Sequence, residues 1–381
     1  MERIYLDNNA TTALDLRVFQ AMLAEWKGPP ANPSSLHWFG QRARALLQAA
    51  RQQTASFFGA NPEEILFTSG GTESLNLLIR SLKKGHVITS TIEHSCVYKT
   101  LKEQESASLS VTFLPVTLWG APLVEQVAEA LRPDTAAILL SAANNETGVM
   151  IDLPAMADLA LKKGVPLWID AVAYVGKESF SLHPGITAVA ISGHKFHAPK
   201  GIGALYLKKT QKISSQLTPQ LTGGNQEYMK RAGTENLAGI IGLAEALQIL
   251  KEKQPEITEQ IRDLRLHFEH QLQRALPDLL IHGEGSRISN TSNVAFLGLD
   301  GETLLMHLDR LGIAVSHGSA CASGAIEPSR VLLEMGVERK TARSSLRFSF
   351  SRMNTRAEID EALGKIIPLI QKLYHSRKIK T

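Results

Sequence analysis

Four stretches of this chain combine reactive residue types with the small neighbours that ligand contact requires. The first is Ser69-Gly70-Gly71-Thr72-Glu73-Ser74, directly after the apolar run Ile65 to Thr68. Glycines at a strand-to-helix turn let backbone N–H groups face an anion. The same letters also spell a plain glycine turn with a Thr cap. The second is Asp170, after Trp168-Ile169, which reads either as a helix N-cap or as a buried functional acid. The third is Lys195, in Ser192-Gly193-His194-Lys195-Phe196. Most lysines are solvated, but burial at a strand end lowers a lysine pKa and frees the amine for a Schiff base. The fourth is Cys321, within Gly318-Ser319-Ala320-Cys321-Ala322-Ser323-Gly324. Free cysteines commonly serve as small buried hydrophobes. A Gly- and Ser-rich stretch is a poor core element, so an accessible, mobile thiol is the expectation. The other cysteine, Cys96, two residues after His94, reads as packing.

These residues need elements to hold them. Short apolar runs at Ile65 to Thr68, Val87 to Thr89, Ala137 to Leu140, Pro166 to Ile169, Ala188 to Ile191 and Ala204 to Leu207 read as buried strands. Amphipathic stretches lie between most of them: Gly40 to Phe58, Glu73 to Leu82, Leu123 to Leu131 and Leu153 to Lys163. Such alternation predicts an α/β fold with a mostly parallel central sheet flanked by helices. Asn61-Pro62-Glu63-Glu64 carries a helix-start signal. The pattern changes at Gln254-Pro255, flanked by helical stretches Leu237 to Leu250 and Ile257 to Leu276. A smaller α+β region follows: strands at Asn293 to Leu297, Ile313 to Val315 and Leu346 to Phe350, a helix over Glu302 to Leu311 and a last helix from Arg356. The expected organisation is an N-terminal segment 1–14 near the small domain, a large domain 15–250, and a small domain 251–381 carrying Cys321. Ligands of such sheets sit beyond the strands' carboxyl ends. That is where the cradle, the acid and the lysine fall, in that order. The set suits pyridoxal 5'-phosphate, which needs its phosphate anchored, its pyridine nitrogen paired with an acid and its aldehyde bound to a lysine.

Composition narrows the class. The 381 residues carry 41 basic and 37 acidic side chains, a net charge of +4, and 44% hydrophobic residues. That describes an ordinary folded protein. The basic end His375 to Lys380 reads as a solvated tail. DNA binding is not expected. No apolar run reaches the ~18 residues of a membrane span. The start has no secretory h-region. Two distant cysteines outside any CxxC pattern argue against a disulfide scaffold or a metal site. A reducing cytoplasm is the expected location.

The chain resembles the class I, NifS- and IscS-like cysteine desulfurases of the class V aminotransferase superfamily. The matching segments are Tyr5 to Thr12, Asn32 to His37, Thr68 to Ser74, Glu93-His94, Asn144 to Gly148, Ser192 to Phe196, Arg231 to Asn236, Gly318 to Gly324 and Leu346 to Arg352. The resemblance implies the pyridoxal-phosphate fold type I, with Lys195 as the internal-aldimine lysine and Asp170 on the pyridine nitrogen. It implies that His94 stacks on the ring and moves protons, and that Gly71, Thr72, Ser192 and His194 hold the phosphate. Thr234 would reach the phosphate of a neighbouring subunit, so a homodimer is implied. Asn145 and Arg352 would hold the substrate carboxylate, Arg through its planar fork. L-Cysteine would displace Lys195, Lys195 would take the Cα proton, and Cys321 thiolate would attack the substrate sulfur. The products would be alanine and a Cys321 persulfide. The persulfide would pass to an acceptor protein for iron–sulfur cluster or thio-cofactor synthesis. Two positions depart from the pattern: Ala173 replaces a usual Gln, and Ser351 a common Gly. A class V aminotransferase, a selenocysteine lyase and a non-catalytic scaffold are the competing readings.

Overall fold

Apolar runs buried on both faces become strands because helices cover the sheet from either side. The structure, a computed structural model, describes residues 3–209, 217–317 and 327–378. After the short β1 (Ile4–Tyr5) come β2 (Ile65–Thr68), β3 (Gly85–Ser90), β4 (Leu109–Leu114), β5 (Thr135–Ser141), β6 (Leu167–Asp170), β7 (Ile186–Ser192) and β8 (Gly203–Leu207). The last seven form one sheet in the order β2-β8-β7-β6-β5-β3-β4. Only β8 runs antiparallel to its neighbours; the other pairs are parallel. Alternate residues feed two separate cores. Ile138, Leu140, Ile169 and Val189 point to one face, while Leu139, Trp168, Ala188 and Ala190 point to the other.

The helices are α1 (Leu16–Trp26), α2 (Trp38–Phe58), α3 (Gly71–Ser81), α4 (Ser95–Gln104), α5 (Val124–Ala130), α6 (Leu153–Lys163) and α7 (Leu237–Ala275). The last is one helix of 39 residues that continues past Pro255, where the sequence predicts a break. Proline removes a single N–H donor from the ladder. Apolar side chains on both sides, among them Leu247, Leu250, Ile257 and Ile261, stay in one core. The Asn61 signal opens only a 3-10 turn, Pro62–Glu64, before β2 begins. The Glu64 carboxylate accepts the Asn61 N–H at 3.0 Å and closes the turn.

The C-terminal region is built on an antiparallel sheet. In it β10 (Thr291–Phe296) lies between β9 (Leu279–Ile281) and β12 (Ser345–Ser349). β1 pairs in parallel with β11 (Ile313–Ala314). Helices α8 (Gly301–Arg310), α9 (Arg330–Glu334), α10 (Arg339–Arg343) and α11 (Arg356–Lys378) complete it. A third apolar cluster joins Ile92 and Val116, which flank the large sheet, to Val331, Leu332, Met335, Val337 and Ala342. The C-terminal region therefore packs beside the carboxyl ends of β3 and β4.

Candidate active site

A cavity of about 380 Å³ opens at the carboxyl ends of the strands. Much of its wall lies at or just after strand ends. Gly71 and Thr72 follow β2, Glu93 and His94 follow β3, Asn145 and Glu146 follow β5, Asp170 ends β6, and Ser192, His194 and Lys195 follow β7. The N-terminal segment adds Asp7 and Asn9, and the C-terminal region adds Ser316, Arg330 and Arg347.

The glycine turn is shaped for close approach. Gly70 takes φ +152°, a conformation L side chains rarely adopt, and a Cβ on Gly71 would meet Val172 Cγ2 at 2.5 Å. The first-turn N–H groups of α3 lie over this turn without intrahelical partners. Glu73 closes the outer side, accepting the Ser69 N–H at 2.8 Å and Arg231 Nε at 3.0 Å. Ser192 and His194 form the adjoining wall. Burial, with Lys195 nearby, lowers His194 to about 4, so its ring is neutral. A small anion fits this cradle.

Asp170 is buried and accepts the Val172 N–H at 2.9 Å. Burial raises its pKa against the pull of that bond, His94 and Lys195. A ring nitrogen that shares its proton meets this acid's unmet need for a partner. Glu93 lies beside it, fully buried, with Ser90 Oγ at 2.6 Å and Ser141 Oγ at 2.5 Å. Burial outweighs these donors, and with Asp170 adjacent Glu93 is pushed up to about 7.

Lys195 donates to the main-chain carbonyls of Asn9 (2.6 Å) and Ala10 (2.9 Å). Burial, then Arg347, lowers it to about 8, against Asp7 and Asp170. Beneath it sits a second buried amine, Lys177, which donates to the Lys195 carbonyl. Burial, reinforced by Lys195, lowers Lys177 to about 7. The cavity thus holds two amines whose pKa values are lowered toward neutral pH; a Schiff-base lysine needs this lowering. Cradle, buried acid and available amine together fit pyridoxal phosphate.

The structure assigns the predicted residues unequally. Gly71, Thr72, His94, Asn145, Asp170, Ser192, His194 and Lys195 share the cavity, and Ala173 presents only a methyl to it. Thr234 lies on the surface outside it. Cys321 lies outside the described residues. Arg352 is a correction: it is absent from the cavity wall, and its guanidinium meets Asp15 at 2.5 Å. Arg347, five positions earlier on β12, lines the cavity instead, pairing with Asp7 at 2.8 Å and donating to the Asn145 carbonyl at 3.0 Å. Arg352 lies beyond the end of β12, in the turn where Ser351 N–H bonds Asn354 Oδ1 at 2.9 Å. That turn aims the following side chain toward the base of α1. Asp7, Glu93, Lys177, Arg330 and Arg347 are among the wall residues for which the sequence suggested no role. Asp7, Glu93 and Arg347 sit within recognisable motif segments; Lys177 and Arg330 carry no sequence signal.

The aminotransferase class-V family profile matches residues 4–362. The chain belongs to the class-V aminotransferase family. Among relatives of this class-V protein, "Cysteine desulfurase 2" of Trichormus variabilis is 40% identical, over 98% of this chain and 94% of the relative. "Cysteine desulfurase NifS" of Azotobacter vinelandii is 40% identical over the same shares, 98% and 94%. A solved structure described as a NifS-like protein superposes on this class-V chain with a TM-score of 0.89 at 33% identity, covering 97% of this chain and 99% of the other. The mostly parallel sheet with its helical layers is the pyridoxal-phosphate fold type I of those structures.

Proposed function

We propose that this class-V protein is a pyridoxal-phosphate cysteine desulfurase that moves the sulfur of L-cysteine to Cys321 and releases L-alanine. The observation that carries the reading is the convergence of cradle, buried acid, near-neutral lysine and arginine on one cavity, in a chain whose relatives are named cysteine desulfurases. Bound pyridoxal phosphate supplies an aldehyde for the substrate amine and a ring that accepts electrons from Cα. Gly71, Thr72, Ser192 and His194 bind its phosphate, and Asp170 holds the proton at its ring nitrogen. His94, on the cavity wall, would serve the cofactor ring. Lys195 Nζ moves the Cα proton. Arg347, fixed by Asp7, binds the substrate carboxylate, with Asn145 beside it. The Cys321 thiolate attacks the substrate sulfur; an S–S bond forms, the Cβ–S bond breaks, and protonation at Cβ gives alanine.

The persulfide goes to an acceptor protein for iron–sulfur cluster or thio-cofactor synthesis, in a reducing compartment such as the cytoplasm. The working unit is a homodimer in which Thr234 reaches the partner's phosphate site. Its exposed position outside the cavity supports this, as do the exposed Leu36, Trp38 and Met229 at 81%, 66% and 67%.

The test is alanine and sulfide release from L-cysteine with a thiol reductant, on wild type and Cys321→Ala, alongside visible absorbance. Wild type is expected to be yellow and to release both; Cys321→Ala is expected to be yellow and silent. An amino form of the cofactor accumulating with a keto acid would favour a transaminase. Faster release from selenocysteine would favour a selenocysteine lyase, and a colourless protein would favour a scaffold.

A further inference from the structure

The ring of His94 is held along one edge. His94 is the N-cap of α4, and its Nδ1 accepts the Cys96 peptide N–H at 3.2 Å. The Cys96 Sγ lies 3.0 Å from the same nitrogen. A peptide N–H can only donate, so Nδ1 bears no proton in this arrangement, and the thiol must be the second donor. The thiol keeps its proton: burial, with Asp170 nearby, pushes it up to about 12. Thr72, in the first turn of α3, opposes that rise without reversing it. On the other side of His94, Arg330 NH2 donates to the Glu93 carbonyl at 2.5 Å and NH1 to the Thr91 carbonyl. The Glu93 carbonyl belongs to the peptide unit whose N–H is that of His94. Stacking on Tyr98, 4.4 Å from the ring centroid, keeps the guanidinium in place.

We propose that Cys96 is a positioning residue that fixes the tautomer of His94. With Nδ1 occupied, the neutral ring carries its proton on Nε2, the edge turned away from α4. Arg330 fixes the peptide plane from which the ring departs. Nε2 is then the atom from which His94 delivers a proton in the cavity. The inference rests on His94 serving the cofactor ring, as read above. It adds a role for Cys96 in that site as a hydrogen-bond donor that keeps its own proton.

The test uses cofactor-loaded protein labelled with 15N in its histidine rings, with the His94 signals identified by their loss in His94→Gln. Wild type is expected to show a protonated Nε2 and an acceptor Nδ1. Cys96→Ala is expected to lower kcat for L-cysteine about five-fold at unchanged KM, the factor an ordinary hydrogen bond carries. Cys96→Ser, which keeps a donor, is expected to recover it. A wild-type His94 protonated on Nδ1 overturns the proposal. So does a Cys96→Ala protein with unchanged kcat and unchanged His94 signals. Visible absorbance and melting temperature establish that each variant loads and folds. If wild type makes no alanine, the functional reading fails, while the 15N shifts still decide the tautomer.

Discussion

The two walls of the cavity are built by different means. One wall is the carboxyl edge of the seven-stranded sheet, where Asp170 ends a strand and Thr72, His94 and Lys195 each follow one by a few residues. Local chain geometry positions them, and parallel pairing fixes their spacing. The other wall joins the N-terminal segment to the C-terminal sheet, where Asp7 meets Arg347 across the length of the chain. There a side chain's position depends on long-range register: Arg347 faces the cavity because β12 lies antiparallel to β10, with Arg347 opposite Asn293. The first wall suits the cofactor, whose groups sit at fixed separations. The second suits a substrate that enters and leaves.

That contrast breaks most sharply at Lys195. Lys195→Ala is expected to lower alanine formation by at least about 10⁴-fold, because it removes the amine that moves the Cα proton in the proposed reaction. Cofactor content, measured by phosphate analysis, should fall far less, since Gly71, Thr72, Ser192 and His194 remain. Loss of all bound cofactor would show that the cradle does not hold the phosphate without the lysine.

Arg347→Ala probes the opposite wall. It is expected to lower kcat/KM for L-cysteine about 10²- to 10³-fold, since truncating a buried charged partner removes the carboxylate anchor and strands Asp7. The yellow colour should persist. A steady-state comparison with Arg347→Lys sharpens the point, because a point charge lacks the fork that binds a carboxylate through two parallel bonds. Equal kinetics for Lys and Arg at this position would remove the bidentate argument.

Lys177 tests the floor between the walls. Its folded pKa, about 7, lies below the ordinary lysine value. Between that value and about 10 the unfolded chain binds a proton that the folded chain does not, so stability rises with pH there. Below about 7 both states are protonated, and the cost of the buried charge is present in full. In cofactor-free protein, Lys177→Met is expected to raise the unfolding free energy near neutral pH. It should also reduce the slope above pH 7, by at most about 1.4 kcal/mol per pH unit. Denaturant titrations across pH 6 to about 10 measure both, and parallel curves for the two proteins would show that Lys177 is not a buried cation.

The first wall was legible in the sequence because its signals are local: an apolar run, a strand end, then a chemically distinctive residue. Six of the seven large-sheet strands were readable for that reason. The edge strand β4 was not. It is part-exposed over most of its length, so Leu-Ser-Val-Thr-Phe-Leu lacks the continuous apolar run of its neighbours. Pro255 misled in the opposite way, since packing on both sides of α7 outweighs one lost hydrogen bond. In the second wall the motif Leu346 to Arg352 offered two arginines, and nothing local separates them. The difference is made by register against β10 and by partners at Asp7 and Asp15, which only the folded chain brings near. Arg330 and Lys177 were illegible for the same reason, because their roles lie in contacts with distant carbonyls.

Arg352 gives the smallest and most discriminating effect. Burial pushes Asp15 up, but the hydrogen bond from Arg352 and the N–H of Arg17 hold its carboxyl below the usual carboxylate range. The pair ties the turn after β12 to the N-terminus of α1, where Asp15 is the N-cap. Its stabilisation is present above the unfolded pKa of about 3.9 and is lost as pH falls through the lower folded value. Arg352→Ala is therefore expected to cost about 1 kcal/mol near neutral pH, part of the pair being solvated. It should also flatten the loss of stability below about pH 4, with KM for L-cysteine changed less than about three-fold, ~0.7 kcal/mol. Denaturant unfolding at two pH values and one kinetic titration separate these effects. A rise in KM as large as that of Arg347→Ala would move the carboxylate anchor to Arg352 and reverse the assignment of the two arginines.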